Sequence, residues 1–283
     1  MSLLELIAPP KVNLFLHVTG KRADGYHLLD SLVVFPKGIG DVLTVETADR
    51  FSFTMDGPYA GHAGPDDKNL VMRAYHAFPE DIRPIVRIKL QKNIPAGAGL
   101  GGGSSDAAIT VRALEKIGNA ILPDDERNKL LLMLGADVPA CYLGQAARMQ
   151  GIGDTITPTP PLPYAHIVLC WPGISSYTKD VFGTWDQTFR EPLSQLPYFY
   201  TLDDLINFLK TTENTLSLPA QKTCPPITRA LSSMQMQSGC LLSRMSGSGS
   251  CVFGLFRTEE EADQARQALS TLDPTWWIRS GHI

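Results

Sequence analysis

The chain has no cluster of lysine and arginine, no CxxC pair, no long apolar run and a low share of charged residues, 19%. Each absence excludes something. With 25 basic against 29 acidic side chains the formal charge is −4, so the basic footprint that broad nucleic-acid binding needs is missing. No nucleic-acid partner is expected, and an anionic ligand must be held by local devices. No segment approaches the ~20 apolar residues of a membrane span. The opening MSLLELIAPPK has no basic n-region and no apolar core, so neither a membrane nor a secretory leader is expected. Five scattered cysteines, Cys141, Cys170, Cys224, Cys240 and Cys251, read as reduced, buried thiols of a cytoplasmic protein. His62, His76, His166 and His282 have no partner at metal-ligand spacing and read as structural or solvated. No GKS or GKT tripeptide is present for a Walker loop, and no GxSxG for a nucleophile elbow, so Ser104 is a poor hydrolase nucleophile.

What is present is apolar material for a substantial core, 43% of 283 residues, enough for one two-lobed unit or two modest domains. From 12 to 18 the chain alternates, with Val12, Leu14, Leu16 and Val18 on one face and Lys11, Asn13, Phe15 and His17 on the other. Turn residues at 21–25 lead to an apolar run at 28–35, which predicts a hairpin. Further strands are predicted at 42–47 and 85–90, with a helix over 69–78 capped by Asp66 or Asp67. Ser104 or Ser105 is the expected N-cap of a helix running to 117 and closed by Gly118, and a second helix is predicted over 124–134. The proline-rich piece 157–163 is the best linker candidate. It divides the chain into 1–157 and 158–283. Beyond it, strands are predicted near 166–171, 241–245, 251–256 and 276–279, with helices near 202–209, 227–236 and 259–269. That half reads as an α+β sandwich, and no internal repeat is found.

The most informative stretch is 95–106, PAGAGLGGGSSD. Five glycines in the seven positions 97–103 let the backbone take positive φ and approach a ligand closely. The loop runs straight into a helix, whose first amides are unpaired and whose dipole favours an anion, with Ser104 and Ser105 adding hydroxyls. Together these make a phosphate cradle that needs little net charge. Gly97 to Gly102 also satisfies the dinucleotide pattern GxGxxG, but Asp124 and Asp125 open a second helix where that unit needs a strand ending in an acidic residue. A plain glycine-rich surface turn is the bland alternative.

The run GLGGGSSDAA at 99–108 resembles the central motif of the GHMP kinases. Pro10-Lys11-Val12-Asn13-Leu14 is similar to their first motif, and Arg244-Met-Ser-Gly-Ser-Gly-Ser to their third, in the expected order. Within that superfamily, residues 11–16, 20–27 (GKRADGYH), 69–71 and 134–139 (LGADVP) resemble the kinases that act on a cytidyl diphosphate of methylerythritol in non-mevalonate isoprenoid synthesis. Pro10 and Gln145 depart from the pattern, and 185–225 is poorly matched. The resemblance implies a two-lobed α+β fold, with an N-terminal lobe of ribosomal-protein-S5-like type, a C-terminal α/β-sandwich lobe and the active site in the cleft between lobes. It also implies ATP and Mg2+ as cofactors and a small-molecule acceptor. No protein partner is evident.

The same resemblance implies roles. Asp137, after the Gly135 helix stop, would be the general base for the acceptor hydroxyl; an N-cap carboxylate is the alternative, and both roles are compatible. Lys11 would neutralise charge on the transferred phosphoryl group, and Asn13 would orient the acceptor hydroxyl. Tyr26 and His27, after the Asp24-Gly25 turn, would recognise cytosine, with Tyr177 and Phe182 closing the pocket and Thr178 a weaker candidate. For ATP the candidates are Asn69, Leu70, Val71, Lys92, Pro95, Ala96, Gly97, Ala98, Gly99, Leu100, Gly101, Gly102, Gly103, Ser104 and Ser105. Lys92 by itself reads as a solvated surface charge. Ser105 is a possible magnesium ligand; Asp106 suits either that or a first-turn helix position. Gly247 and Gly249 would bring the third motif's turn to the base of the site. Another GHMP small-molecule kinase, or a catalytically silent nucleotide-binding module, are the competing readings.

Overall fold

A short edge strand, β1 (Leu3–Ala8), opens the chain, and a hairpin of β2 (Val12–Lys21) and β3 (His27–Val34) follows. The structure is a computed structural model and describes residues 3–62 and 68–283. Its backbone forms two compact units that interleave along the sequence. The first takes the described residues of 1–10, 40–96 and 101–144, and the second takes 11–39, 97–100 and 145–283.

The first unit carries β1, β4 (Asp41–Thr47), β5 (Ser52–Asp56) and β6 (Val86–Gln91) in one sheet of order β1-β4-β6-β5. β6 shows why a strand forms there: Val86, Ile88 and Leu90 are buried while Arg87, Lys89 and Gln91 are exposed, a strict period of two. Helices α1 (Leu70–Ala77), α2 (Gly102–Gly118), α3 (Asp124–Leu134) and α4 (Val138–Leu143) belong to the same unit. α2 packs on α1, α4, β1 and β4, and residues 105–111 of it are buried throughout.

Two helix starts differ from expectation. α1 begins at Leu70, and its N-cap is Asn69, whose Oδ1 accepts from the Val71 N–H at 2.9 Å; Asp66 and Asp67 lie outside the described residues. α2 begins at Gly102 instead of after Ser104 or Ser105, because Gly101 takes the left-handed conformation, φ 61°, and turns the chain early. Both serines therefore lie in the first turns of the helix. At its other end Asn119, φ 48°, makes the left-handed reversal expected of Gly118.

The second unit holds two antiparallel sheets. One is β2-β3-β7-β8, with β7 (Ala147–Gly151) and β8 (Thr155–Pro158); the other is β10-β11-β9-β12, with β9 (His166–Trp171), β10 (Leu242–Met245), β11 (Val252–Phe256) and β12 (Trp277–His282). Helices α5 (Thr178–Thr184), α6 (Leu202–Lys210), α7 (Ser217–Thr223), α8 (Pro226–Gln235) and α9 (Glu259–Leu272) complete it. α6 and α9 each open with a full capping box, Thr201–Asp204 and Thr258–Glu261. Leu16, Val168, Ile227, Met245, Phe256 and Ile278 share one core in this unit. β2 is not half-polar: Asn13, Phe15 and His17 are buried as fully as Val12, Leu14 and Val18. Lys11 lies one residue ahead of the strand rather than on it.

Candidate active site

The glycine loop is shaped by three positive φ values, at Gly97 (70°), Gly99 (75°) and Gly101 (61°). Between them Ala98 and Leu100 are buried, 2% and 1% exposed, and anchor the loop. Four successive carbonyls are taken by protein donors. Gly97 O accepts from Ser176 N–H, Ala98 O from Cys251 N–H, Gly99 O from Ser246 Oγ and Leu100 O from Lys11 N–H, at 3.3, 2.9, 3.2 and 2.7 Å. A Cβ on Gly99 would stand 2.5 Å from the Gly249 carbonyl oxygen, so the third motif's turn packs directly on this loop. The first helix-type bond of α2 is Ser105 N–H to Gly101 O, 2.9 Å, which leaves the amides of Gly102 to Ser104 ahead of the helical ladder. Pro95 is buried and Ala96 half-buried where the loop begins. Ser105 is fully buried, and its hydroxyl has no partner among the described residues.

Lys11 and Asn13 form a second group. Lys11 is 5% exposed, and its Nζ donates to Asn13 Oδ1 at 3.4 Å. Asn13 Nδ2 donates to Ser31 Oγ at 2.8 Å, and its backbone N–H to Ser246 Oγ at 3.2 Å. The third motif thus touches both the glycine loop and the strand bearing Asn13. Asp137 occupies the N-cap position of α4 but makes no side-chain capping bond, so the capping alternative does not use its carboxylate. Its helix is tied to α2 by Arg112 Nη2 to Leu143 O, 3.2 Å, and by Tyr142 Oη to Glu115 Oε2, 2.6 Å.

Lys92 is not the solvated charge expected of it. It is 3% exposed and pairs with Asp41 and, at 2.7 Å, with Asp106. Burial alone would lower its pKa; the two carboxylates outweigh that, and the net shift is upward. Asp106 is pushed upward chiefly by burial, with Lys92 opposing and Asp41 reinforcing. Asp41 also accepts from the backbone N–H groups of Asn93 and Ile94, the latter at 2.8 Å, and so pins the chain entering the loop. Asn69 spends its side chain on capping α1, Leu70 approaches Gly103, and Val71 is buried in the core.

A pocket of about 460 Å³ brings together four predicted residues, Tyr26, His27, Thr178 and Phe182, with Asp24, Gly25, Leu29 and Ile152. Gly25 turns at φ 92°. His27 stacks on Phe182 with ring centroids 4.1 Å apart at 11°. Burial, then Lys21, lowers the His27 pKa, so the ring is a neutral imidazole with one donor and one acceptor. Thr178 Oγ1 lies 2.8 Å from Ser248 Oγ of the third motif. Tyr177 is 72% exposed at the N-cap of α5 and does not line the pocket. Sequence reasoning missed Trp185, 7% exposed, which meets both His27 and Phe182 edge-on at 5.6 and 6.0 Å and backs the pair.

Comparison with known proteins identifies the family. GHMP kinases N terminal domain matches residues 69–145 and GHMP kinases C terminal matches 201–274. A 4-diphosphocytidyl-2-C-methyl-D-erythritol kinase of Cereibacter sphaeroides is 44% identical over 276 residues, 97% of each chain. The chain belongs to the 4-diphosphocytidyl-2-C-methyl-D-erythritol kinase family of GHMP kinases. A kinase of the same name from Rhodospirillum rubrum is 43% identical, over 96% of this chain and 90% of its own. A crystal structure of 4-(cytidine 5'-diphospho)-2C-methyl-D-erythritol kinase superposes with TM-score 0.82 at 33% identity, covering 99% and 98% of the two chains. Homoserine kinase from Cytophaga hutchinsonii, 17% identical at TM-score 0.68, covers 99% of this chain and 95% of its own and shares the GHMP fold. The protein is accordingly an ATP-using phosphotransferase of α+β architecture. Among the described residues no helix is long and apolar enough to cross a membrane.

Proposed function

We propose that this GHMP kinase transfers the γ-phosphoryl group of ATP to the 2-hydroxyl of 4-diphosphocytidyl-2-C-methyl-D-erythritol. The observation that carries the acceptor is the pocket at the Gly25 turn, where a neutral imidazole is stacked on an aromatic ring. A neutral imidazole offers one donor and one acceptor, and cytosine presents an exocyclic amine donor beside ring acceptors. Phe182 adds a stacking face, worth about 1–3 kcal/mol per base. Phe182→Ala is therefore expected to raise the acceptor KM by about 5–150-fold, while the ATP KM stays within twofold. Steady-state titration of each substrate checks this; an equal rise in both KM values would sink the assignment.

The roles proposed are those that phosphoryl transfer needs. Asp137 takes the proton of the acceptor hydroxyl, Lys11 stabilises charge on the transferred group, and Asn13 orients the acceptor. The loop residues from Pro95 to Ser105 hold the nucleotide phosphates, with Asn69 and Leu70 bordering the base and Val71, in the core, and Lys92, paired with Asp41 and Asp106, supporting that wall from behind. A magnesium ion carried with the nucleotide would neutralise phosphate charge. Ser105 fits as its ligand, since its hydroxyl lies in the first turns of α2 without a partner among the described residues, and magnesium takes few protein ligands beside phosphate and water. Asp106 is committed to Lys92 through Oδ2. The proposed lobe boundary between residues 157 and 158 lies between the two family matches but inside the compact unit that takes in 145–283, and a cytoplasmic location is supported by the five free cysteines.

Gly99→Ala tests the loop. At φ 75° a Cβ is strained and meets the Gly249 carbonyl. A shift of about 1 Å in a positioning element costs about 10²-fold, so kcat/KM for ATP should fall by about that factor, read in an ATP titration. The function itself is decided by an ATP-consumption assay comparing the cytidyl acceptor with mevalonate, homoserine and galactose. Turnover with one of the others alone would overturn the acceptor, and no turnover with any would favour a silent nucleotide-binding module.

A further inference from the structure

We infer that Arg244 is a positioning residue, holding the β-bulge at Leu14 that aims Asn13 and Lys11. It acts on phosphoryl transfer through the backbone of β2, not by touching nucleotide or acceptor. The inference rests on the reading of Lys11 and Asn13 proposed above.

The bulge is visible in the pairing of β2 with β3. Val12 faces Val34, Asn13 faces Val33, and then Phe15 faces Leu32, so Leu14 is surplus. A bulge takes a residue out of the ladder and changes which face its neighbours present. Leu14 is fully buried, so its carbonyl needs a donor from the protein rather than from water. Arg244 supplies it, Nη1 to Leu14 O at 2.7 Å. The same guanidinium donates to Thr212 Oγ1 at 3.1 Å and, through Nη2, to Leu209 O and Thr212 O at 2.8 Å each. Leu209 lies in the last turn of α6, where the helix dipole favours a cation. Among the described residues no carboxylate forms an ion pair with Arg244, and burial draws its pKa down to about 10, so it stays charged at neutral pH.

The opposite side of the bulge is closed by Ser31, which donates to Phe15 O and accepts from Asn13 Nδ2. Asn13 then accepts from Lys11 Nζ. A chain of contacts therefore runs from the C-terminal end of α6 through Arg244 and Leu14 to Asn13 and Lys11. Only a planar fork reaches the bulge and the helix end together; a lysine ammonium is a point donor on a flexible stem.

Four variants test this by kcat, KM and melting temperature. Arg244→Lys is expected to lower kcat by about 100-fold with the ATP KM nearly unchanged, the loss typical of a ~1 Å misplacement. Ser31→Ala should shift kcat in the same direction, by about 10-fold. Thr212→Val removes one of the three contacts that Arg244 makes at the α6 end and keeps its bond to Leu14 O, so it should cost stability and lower kcat far less than Arg244→Lys does. The inference fails if Arg244→Lys and Ser31→Ala both keep near-normal kcat, or if Thr212→Val loses as much turnover. Should Arg244→Lys not fold, Ser31→Ala against Thr212→Val decides. Asn13→Ala separates the two levels. If it keeps turnover, the role of Asn13 is wrong; if it loses turnover while Arg244→Lys and Ser31→Ala do not, only the bulge argument falls.

Discussion

Asp137→Asn is expected to lower kcat by about 10²–10⁴-fold, the range supplied by a positioned general base, while ATP binding and melting temperature stay close to wild type. The substitution is nearly isosteric, and asparagine is as good an N-cap residue as aspartate. Asp137 makes no side-chain capping bond in the first place, so the helix start loses little. Its main-chain role, Cys141 N–H to Asp137 O at 3.1 Å, is kept. The variant therefore removes proton-accepting ability and leaves the helix start intact. Single-turnover kinetics with saturating ATP would measure the chemical step directly. A loss under tenfold, with the melting temperature unchanged, would leave Asp137 as a structural helix-start residue and move the base elsewhere.

Lys92→Met is expected to have the largest effect on stability. The change leaves Asp41 and Asp106 buried side by side without their cation, and Asp106 Oδ1 already has no partner among the described residues. Removing one partner of a buried ion pair costs about 3–5 kcal/mol, a large share of the roughly 5–15 kcal/mol by which domains are stable. At about 2–4 °C per kcal/mol, the melting temperature should fall by about 10 °C. The pH dependence has a definite sign. Burial already raises the Asp106 pKa, and Lys92 is the group that opposes the rise. Without it the folded state holds a proton that the unfolded chain releases, so the variant loses further stability as pH rises above the ordinary carboxylate range. Thermal unfolding followed by circular dichroism at pH 5 and pH 8 reads this out. Adding Asp106→Asn to Lys92→Met should recover part of the loss and flatten the pH dependence; equal melting temperatures at both pH values in the single variant would contradict the account.

The Lys92 cluster also shows how much was legible. The alternation Val86, Ile88, Leu90 continues in phase to Lys92, and Leu43 and Val45 run back in phase to Asp41, so both charges stood on the buried side of their strands. Their pairing follows from register, since Val42 faces Gln91. The sequence reading treated Lys92 alone and missed this. Strands with clean alternation, helices with capping boxes and the Gly25 turn were legible because their signals are local. The order Lys11, glycine loop, Asp137, third motif was legible because each motif is a short run. What was not legible is non-local. Trp185 lies in a stretch without periodicity and gains its place only by meeting His27 and Phe182. Arg244 and Leu14 are 230 positions apart. The edge strands β1 and β8 are short, and their signal is weak without the neighbours that pair with them.

The glycine loop has one more consequence. Glycine surrenders more conformational freedom than any other residue when it is fixed, and a loop so rich in it would ordinarily order itself only around a ligand. Here the carbonyls of Gly97, Ala98, Gly99 and Leu100 are each held by a donor from Ser176, Cys251, Ser246 or Lys11. That freedom is given up when the chain folds, not when the nucleotide arrives. Nucleotide affinity is then not diminished by ordering the cradle, and the amide hydrogens of Ser176, Cys251 and Lys11, which hold the loop's carbonyls, should exchange slowly even in the ligand-free protein.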